Sequence, residues 1–431
     1  MQTATLSNGL RVIFEHKDSE VVYCGYVICA GTRHEEPADS GMAHFIEHMS
    51  FKGTERRRSY HINNGLERLG GDLNAFTNKQ ETVYYATVLR EDFPRAVDIL
   101  TDLVFHSAYP QAEIDKEVEV IADEIESYLD SPAELIFDDF EAMIFEGSAL
   151  GRDILGRADR LREYTTADAL RFARSHYRPD NAVFYVTGRL DWKRILRELQ
   201  RWQPAPQQPA PQQPAPVPSS ILQPCMAAAA SPLFAASHPP LFPAVDGGAI
   251  RVLEKGTHQA HVVLGAPTFG GREAGTKRFA LALLNNILGG PGMNSRLNMA
   301  LREHAGLVYS IDSYVTTYPD AGWWCVYFGC DLDDTDRCLR LVRKELQRLI
   351  DEPLTEARLA AAKKQFIGQL TIADNNAESF ALALGKQFAQ YGTLRSSAAI
   401  VEAIRSLTAA DLQQLAAEIY APDRLSTLIY K

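Results

Sequence analysis

A long proline-rich segment constrains this 431-residue chain more than any other feature, because it divides the sequence into two halves. From Gln203 to about Val245 the sequence runs QPAPQQPAPQQPAPVPSS and continues through AAAASP and HPPLFP. Proline at this density interrupts helices and central strands and favours extended spacers. We therefore predict a first domain over residues 1–202, a linker over 203–246 and a second domain over 247–431. An SH3-type ligand motif is the alternative for this segment, although PAPQQPAP lacks flanking basic residues.

The two halves are similar in the order of their predicted elements. Each opens with a short strand, LRVIFEH or AIRVLEK, and continues with an apolar strand, VVYCGYVICAG or HQAHVVLGAP. A helix comes next, within SGMAHFIEHMSF or TKRFALALLNNILGG, and later strands are followed by long amphipathic helices. Strands from distant segments with helices between them are typical of α+β domains. We predict two similar α+β domains, each a mixed sheet with helices packed on one face.

The composition limits the classes of function. Hydrophobic residues make up 46% and charged residues 23% of the chain, as in globular proteins. The net charge of −11 argues against a general nucleic-acid binder, which needs basic surface to neutralise phosphates. The sequence shows no signal-peptide pattern, no membrane-spanning stretch of about 18 apolar residues, and no CxxC pair among its six cysteines. We therefore expect a cytoplasmic protein with reduced thiols that binds neither membranes nor nucleic acids.

The strongest chemical signal lies in the first half, in the segment SGMAHFIEHM. On a helix with Ser40 as its N-cap, His44 and His48 are one turn apart on the same face, and Glu47 lies beside them. This inverted motif, HxxEH, lets two imidazoles bind one zinc ion while a carboxylate lies next to the water on the metal. A surface helix with two solvated histidines is the alternative.

A third protein ligand is expected, because catalytic zinc usually has three. The helix predicted within QAEIDKEVEVIADEIESYL places Glu117 and Glu124 together at the edge of its apolar stripe, and Glu119 on the solvated side. Carboxylates are rarely half-buried without a partner, and a cation between this helix and the histidine helix would be such a partner. The alternative is that the two glutamates lie at the edge of the stripe by chance, because this amphipathic helix is rich in Glu.

Four longer segments resemble the pitrilysin, or insulinase-type, family of inverzincin zinc metallopeptidases. They read LSNGLRVIFEH, AGTRHEEPADSGMAHFIEHMSFKGT, LERLGGDLNAFTNKQETVYYATV and LNMALREHAGLVYSI, and the resemblance covers nearly the whole chain. It implies that His44, His48 and Glu124 hold one zinc ion per chain. It also implies that Glu47 is the catalytic base. Glu117 matches an acidic residue that the family places behind the site, and we include it with Glu47 among the catalytic candidates.

The resemblance also assigns residues to the substrate. The strand containing Asn74, Ala75 and Phe76 would lie at a sheet edge and pair with the backbone of an extended peptide, although an ordinary interior strand is equally compatible with the pattern. In the second half, which lacks the metal motif, Arg302 and Tyr309 match a pair that contacts substrate near the scissile bond. Both side chains can donate hydrogen bonds to a developing oxyanion.

The length of the chain resembles that of half-length family members, such as the beta subunit of the processing peptidase. A half-length chain would form one half of a clamshell and would pair with a second chain. We expect a homodimer, since one chain carries both the zinc motif and the Arg302–Tyr309 pair; a related half-length subunit is the other possible partner.

These expectations favour a zinc-dependent endopeptidase that hydrolyses peptides or unfolded polypeptide segments. Zinc would lower the pKa of its bound water, and Glu47 would accept the proton and transfer it to the leaving amine. The alternative is a catalytically silent scaffold or a peptide-binding subunit of a heteromeric complex. A silent scaffold is expected to have lost a ligand or the base, whereas all four key positions are intact in this sequence.

Overall fold

The computed structural model describes residues 1–202 and 248–431, which form two compact units. Neither unit is continuous in sequence. The first contains the described residues 1–126, 152–202 and 373–394, and the second contains 127–151, 248–372 and 395–431. Each unit therefore includes a segment from the other half of the chain. The linker predicted over residues 203–246 lies outside the described residues, and the sequence-based domain boundaries stay a prediction.

Eleven strands and fourteen α-helices build the described part of the chain. The strands are β1 Gln2–Thr5, β2 Arg11–His16, β3 Val21–Ile28, β4 Asp72–Thr77, β5 Thr82–Leu89, β6 Ala182–Gly188, β7 Ile250–Leu253, β8 Ala260–Thr268, β9 Val308–Thr317, β10 Gly322–Cys330 and β11 Ser426–Tyr430. The helices are α1 Met42–Ser50, α2 Ser59–Glu67, α3 Phe93–Phe105, α4 Gln111–Leu129, α5 Pro132–Ile144, α6 Ala158–Leu161, α7 Thr166–His176, α8 Trp192–Arg201, α9 Lys277–Gly289, α10 Thr335–Asp351, α11 Glu356–Ala373, α12 Ala377–Tyr391, α13 Ser397–Ser406 and α14 Ala409–Ile419. None of these helices is both long and apolar enough to cross a lipid bilayer.

The sheet of the first unit has the strand order β1-β2-β6-β3-β5-β4. Strands β2 and β6 are parallel, and the other neighbours are antiparallel. Successive side chains of a strand point to opposite faces of a sheet. Accordingly Val12 and Phe14 join the core that α1, α3, α4, α7 and α8 cover, whereas Ile13 faces α12.

The sheet of the second unit has the order β7-β11-β8-β10-β9, with β7 and β11 parallel. Its strands also alternate between two apolar faces. Trp324 and Val326 lie in the core formed with α9, α10, α13 and α14, whereas Trp323 and Cys325 pack with α5 on the opposite face. Apart from β1, the two sheets share one topology, in which the first and last strands of the unit are parallel neighbours. The predicted α+β class and the similarity of the halves are confirmed.

The prediction of helices on one face of each sheet is incomplete, because α12 covers the second face of the first sheet and α5 covers that of the second. The physical reason is visible in β6, whose residues AVFYVTG are buried at every position and need cover on both sides. The packing of α12 is close. A Cβ added at Gly385 would clash with the ring of Tyr185.

Candidate metal centre

Helix α1 carries the HxxEH motif and begins at Met42. His44 is buried and His48 is half-buried, and their ring centroids are 4.6 Å apart with an interplanar angle of 67°. The spacing of one helical turn therefore places both imidazoles on one face, as the sequence predicted.

The N-terminus of α1 is held by a residue that the sequence analysis missed. Ser40 is not the N-cap; the position is taken by Gly41 at φ +83°, which supplies no side chain. The carboxylate of the buried Glu35 accepts the backbone N–H groups of Gly41, at 2.9 Å, and Ala43, at 2.8 Å. Burial raises the pKa of Glu35 to about 8 in spite of these two hydrogen bonds. Capping rules look only within the first turn, so no local signal indicated a residue this far upstream.

Helix α4 brings two carboxylates to the histidines. Oxygens of Glu124 lie 3.8 Å from Nε2 of His44 and 3.3 Å from Nε2 of His48. One ligand atom from each of these three residues lies within 4.8 Å of the other two. The helical-face argument for Glu124 thus agrees with the geometry, and Glu119 is exposed and pairs with Arg162 instead.

Glu117 lies behind this group rather than in it. Its Oε1 is 3.0 Å from Nδ1 of His48, and its Oε2 is 2.5 Å from Nζ of Lys52. Burial opposes ionisation of Glu117, but its hydrogen bonds with His48 and Lys52 outweigh burial and lower its pKa. An ionised Glu117 fixes the proton of His48 on Nδ1, which leaves Nε2 free to act as a ligand. Lys52 was also missed, although it follows His48 by four residues.

The two histidines differ in their affinity for protons. Burial and repulsion from His48 lower the pKa of His44 to about 4, so this imidazole is neutral near pH 7. Burial also disfavours charge on His48, but its hydrogen bonds with Glu117 and Glu124 raise its pKa to about 9. A metal ion bound here would displace the proton of His48, so its binding would release a proton.

The donor set fits zinc. Two imidazole nitrogens and one carboxylate oxygen form the usual protein ligands of a catalytic zinc, which keeps a fourth position open. Tetrahedral ligands at about 2.0–2.1 Å from zinc are roughly 3.3 Å apart. The two distances of 3.3 and 3.8 Å from Glu124 to the histidines are close to this value.

The half-buried side chain of Glu47 lies next to the ligand group, close enough for electrostatic interaction with His48 and Glu124. Burial raises its pKa, while a hydrogen bond with Thr77 of β4 lowers it. Its Oε2 is buried and has no hydrogen-bond partner among the described residues. A carboxylate in this state is suited to accept a proton from a bound reactant.

Strand β4 is the edge of its sheet and contains Asn74, Ala75 and Phe76. It pairs with β5 through matches such as Ala75 with Tyr84, and its other edge has no strand partner in the described part of the chain. Helix α1 packs against β4. The alternative of an interior strand is therefore wrong.

Arg302 and Tyr309 belong to the second unit. Arg302 lies on the π-helix Asn298–His304, and Tyr309 lies in β9. The Arg302 guanidinium carbon is 5.8 Å from the centroid of the Tyr309 ring, and 88% of Tyr309 is exposed. The structure thus places the two members of this pair together on one surface.

Two family models match the chain. One, described as Insulinase (Peptidase family M16), matches residues 11–158, which include the histidines of α1 and both carboxylates of α4. The other, described as Peptidase M16 inactive domain, matches residues 163–366. This division corresponds to the presence of the HxxEH motif in the first half alone.

Several curated relatives have similar sequences over most of their length. An uncharacterised zinc protease of Streptomyces coelicolor is 31% identical over 420 residues, covering 97% of this chain and 87% of the relative. An uncharacterised zinc protease of Bacillus subtilis is 29% identical over 427 residues, covering 99% and 97%. The beta subunit of the mitochondrial-processing peptidase of Mus musculus is 31% identical over 369 residues, covering 84% and 70%.

Solved structures share the fold. A protease from Helicobacter pylori superposes with a TM-score of 0.86 at 20% identity, covering 100% of this chain and 99% of the other. A peptidase M16 inactive domain from Pseudomonas fluorescens gives a TM-score of 0.82 at 18% identity, covering 100% and 97%. At these identities the likeness concerns the fold alone.

Proposed function

The chain belongs to the insulinase (peptidase M16) family, and on that premise we propose that it is a zinc-dependent endopeptidase acting on peptides or unfolded polypeptide segments. The observation that carries the proposal is the convergence of His44, His48 and Glu124 within 4.8 Å, beside the carboxylate of Glu47, whose Oε2 is buried. Relatives named as zinc proteases support the metal and the reaction class.

One zinc ion per chain would be held by His44, His48 and Glu124. When bound, zinc supplies a Lewis acid that polarises the scissile carbonyl and lowers the pKa of a coordinated water. The charges of the donor set support this assignment. Once His48 has released its proton, both imidazoles are neutral and the Glu124 carboxylate carries one negative charge.

Glu47 would move the proton in the reaction. Its free Oε2 accepts a proton from the attacking water and then returns it to the leaving amine nitrogen, a role worth about 10²–10⁴-fold in rate. Burial raises the pKa of Glu47, which makes it a stronger base than an exposed glutamate. Glu117 would act through His48, whose ring it orients by the hydrogen bond at Nδ1.

The substrate backbone would pair with the free edge of β4, at Asn74, Ala75 and Phe76. Main-chain hydrogen bonds along an edge strand hold an extended peptide with little regard to its side chains, which suits a peptidase acting on unfolded segments. Arg302 and Tyr309 would contact the peptide near the scissile bond, where their donors can stabilise negative charge on the carbonyl oxygen.

The direct test is hydrolysis of a quenched fluorogenic peptide library by the purified protein. We expect cleavage that a chelator abolishes and that one equivalent of zinc per chain restores. Glu119→Gln, which alters an exposed acid on α4, should retain full activity. A zinc-loaded protein that cleaves no member of the library would favour the alternative of a silent scaffold or peptide-binding subunit.

We further propose that the chain acts as a homodimer. One relative is named as the beta subunit of a peptidase, which supports pairing of chains, and this chain carries both the metal motif and the Arg302–Tyr309 pair. The cytoplasmic location expected from the sequence stays a prediction.

Complementation tests the homodimer. If Arg302 of one chain serves the zinc of its partner, His48→Ala and Arg302→Ala should each be inactive alone and regain activity after subunit exchange. In a mixed dimer, one site has both defects and the other has none. Random pairing makes about half of the dimers mixed, so activity should recover to roughly a quarter of wild type. No recovery after exchange confirmed by light scattering of tagged chains would contradict the shared site.

A further inference from the structure

A groove with both polar and apolar lining opens in the second unit between α9, the π-helix Asn298–His304, α10 and α11. Its volume is about 410 Å³, within the range of sites for small organic ligands. None of the residues assigned to the metal centre, to β4 or to the Arg302–Tyr309 pair lines it. The groove is therefore separate from the residues proposed to perform hydrolysis, and its occupancy does not depend on that proposal.

Three arginines, Arg296, Arg348 and Arg358, line the groove. Arg348 is paired, with its Nη1 at 3.0 Å from Glu345 and its Nη2 at 3.8 Å from Glu352. Within residues 1–202 and 248–431, Arg296 and Arg358 form no ion pair. Glu345 also lines the groove, but its ion pair there is with Arg348, so the guanidinium groups of Arg296 and Arg358 have no ion-pair partner among the described residues.

Of these two arginines, Arg296 has the greater need of a partner, because it is the less exposed to solvent. It is half-buried, and its Nη1 is shielded from solvent without a hydrogen-bond partner among the described residues. Burial lowers its pKa, Glu345 opposes this change, and the like charges of Arg348 and Arg358 add to it. A buried guanidinium nitrogen without an acceptor costs free energy that a bound anion would restore.

The other surfaces of the groove indicate what the anion is attached to. The side chains of Ile287, Met299 and Leu354 supply an apolar wall. Asn294 and Gln365 exchange amide hydrogen bonds of 3.0 and 3.2 Å at the rim. A ligand that fills the site therefore combines a compact oxyanion with an apolar or aromatic body.

We propose that this groove binds a phosphate monoester, with its phosphate oxygens on Arg296 and Arg358 and its organic part against Ile287, Met299 and Leu354. The planar guanidinium group presents two parallel N–H donors that match the oxygens of phosphate. A phosphate monoester carries close to two negative charges above pH 7, one for each unpaired arginine.

Isothermal titration calorimetry with phenyl phosphate at pH 8 and constant ionic strength tests the proposal. Wild type should bind, and Arg296→Gln and Arg358→Gln should each weaken binding by at least about tenfold, the scale of a lost charge-assisted hydrogen bond. Arg343→Gln is the matched control, since Arg343 is exposed on α10 outside the groove. Because Arg358 is exposed, its substitution leaves the test valid even if Arg296→Gln fails to fold.

Two further probes identify the ligand class. Inorganic phosphate should bind more weakly than phenyl phosphate, because it leaves the apolar wall uncovered. Benzoate should also bind more weakly, because it carries a single charge. Absence of phenyl phosphate binding by wild type, equal affinity in the arginine variants and Arg343→Gln, or a preference for either of these two probes would overturn the proposal.

Discussion

Apart from β1, the two units share a strand order, but they differ in the helix that follows β3 in the first unit and β8 in the second. In the first unit α1 reads MAHFIEHMS, and in the second α9 reads KRFALALLNNILG. Both helices bury apolar side chains against their sheet, for example Phe45 and Ile46 in α1 and Leu283 and Leu284 in α9. The fold therefore does not by itself create a metal site. The candidate site depends on a few side chains that only one of the two similar units carries.

The chemistry requires polar groups to be buried in the first unit. Glu117 is 6% exposed, and its buried carboxylate is stabilised by contacts with both His48 and Lys52. The buried Oε2 of Glu47 has no hydrogen-bond partner in the part of the chain that the structure describes. Such groups reduce stability unless they are compensated, and they persist mainly where function needs them.

The largest expected effect is the loss of zinc, which should follow substitution of a histidine in the first unit but not in the second. His48→Ala should abolish zinc binding and hydrolysis, because it removes a ligand and leaves Glu117 and Glu124 facing each other. His258→Ala, an exposed histidine of the second unit, should keep one zinc per chain. Inductively coupled plasma mass spectrometry on the dialysed proteins measures the zinc content of both variants. One zinc per chain in His48→Ala would contradict the assignment of the metal site to the first unit.

Glu47→Gln should lower kcat by about 10²–10⁴-fold while the zinc content stays at one per chain. The amide has nearly the size of the carboxylate but cannot accept a proton. Steady-state hydrolysis and metal analysis of the same sample separate the two effects. Retention of more than about a tenth of the activity would show that another group is the base.

Stability tests whether both sheets depend on the helices that come from the other half of the chain. Leu384→Ala on α12 and Ile136→Ala on α5 each remove a buried side chain, and each should lower the free energy of unfolding by about 2–5 kcal/mol. Urea titration followed by circular dichroism measures the change. Ile372→Ala is the control, because 74% of Ile372 is exposed and its loss should cost less than about 0.5 kcal/mol.

The smallest effects rank three glutamates of α4 by their contribution to zinc affinity. Glu124→Gln should weaken zinc binding most, Glu117→Gln by about 10–100-fold through His48, and Glu119→Gln hardly at all. Competition with a chromogenic chelator gives the three affinities. Similar values for Glu119→Gln and Glu124→Gln would contradict the assignment of faces on this helix.

Local periodicity explains why much of the site could be predicted from the sequence. His44 and His48 share a face because of the helical repeat, and Glu117 and Glu124 share one for the same reason. The edge position of β4 was an open alternative, since a strand pattern does not specify its neighbours.

The sequence by itself determined the α+β class, the similarity of the two halves and the shared helical face of His44 and His48, because short-range periodicity or a motif with fixed spacing encodes each of them. The choice of Glu124 over Glu117 as a candidate ligand came from the resemblance to the family. Tertiary structure alone decided that Glu35 caps α1, that α5 and α12 cover the second faces of the sheets, and that Arg296 and Arg358 meet at one groove. These contacts join segments that are distant in the chain, or on separate elements, and the energy of burial selects them only when the whole unit packs.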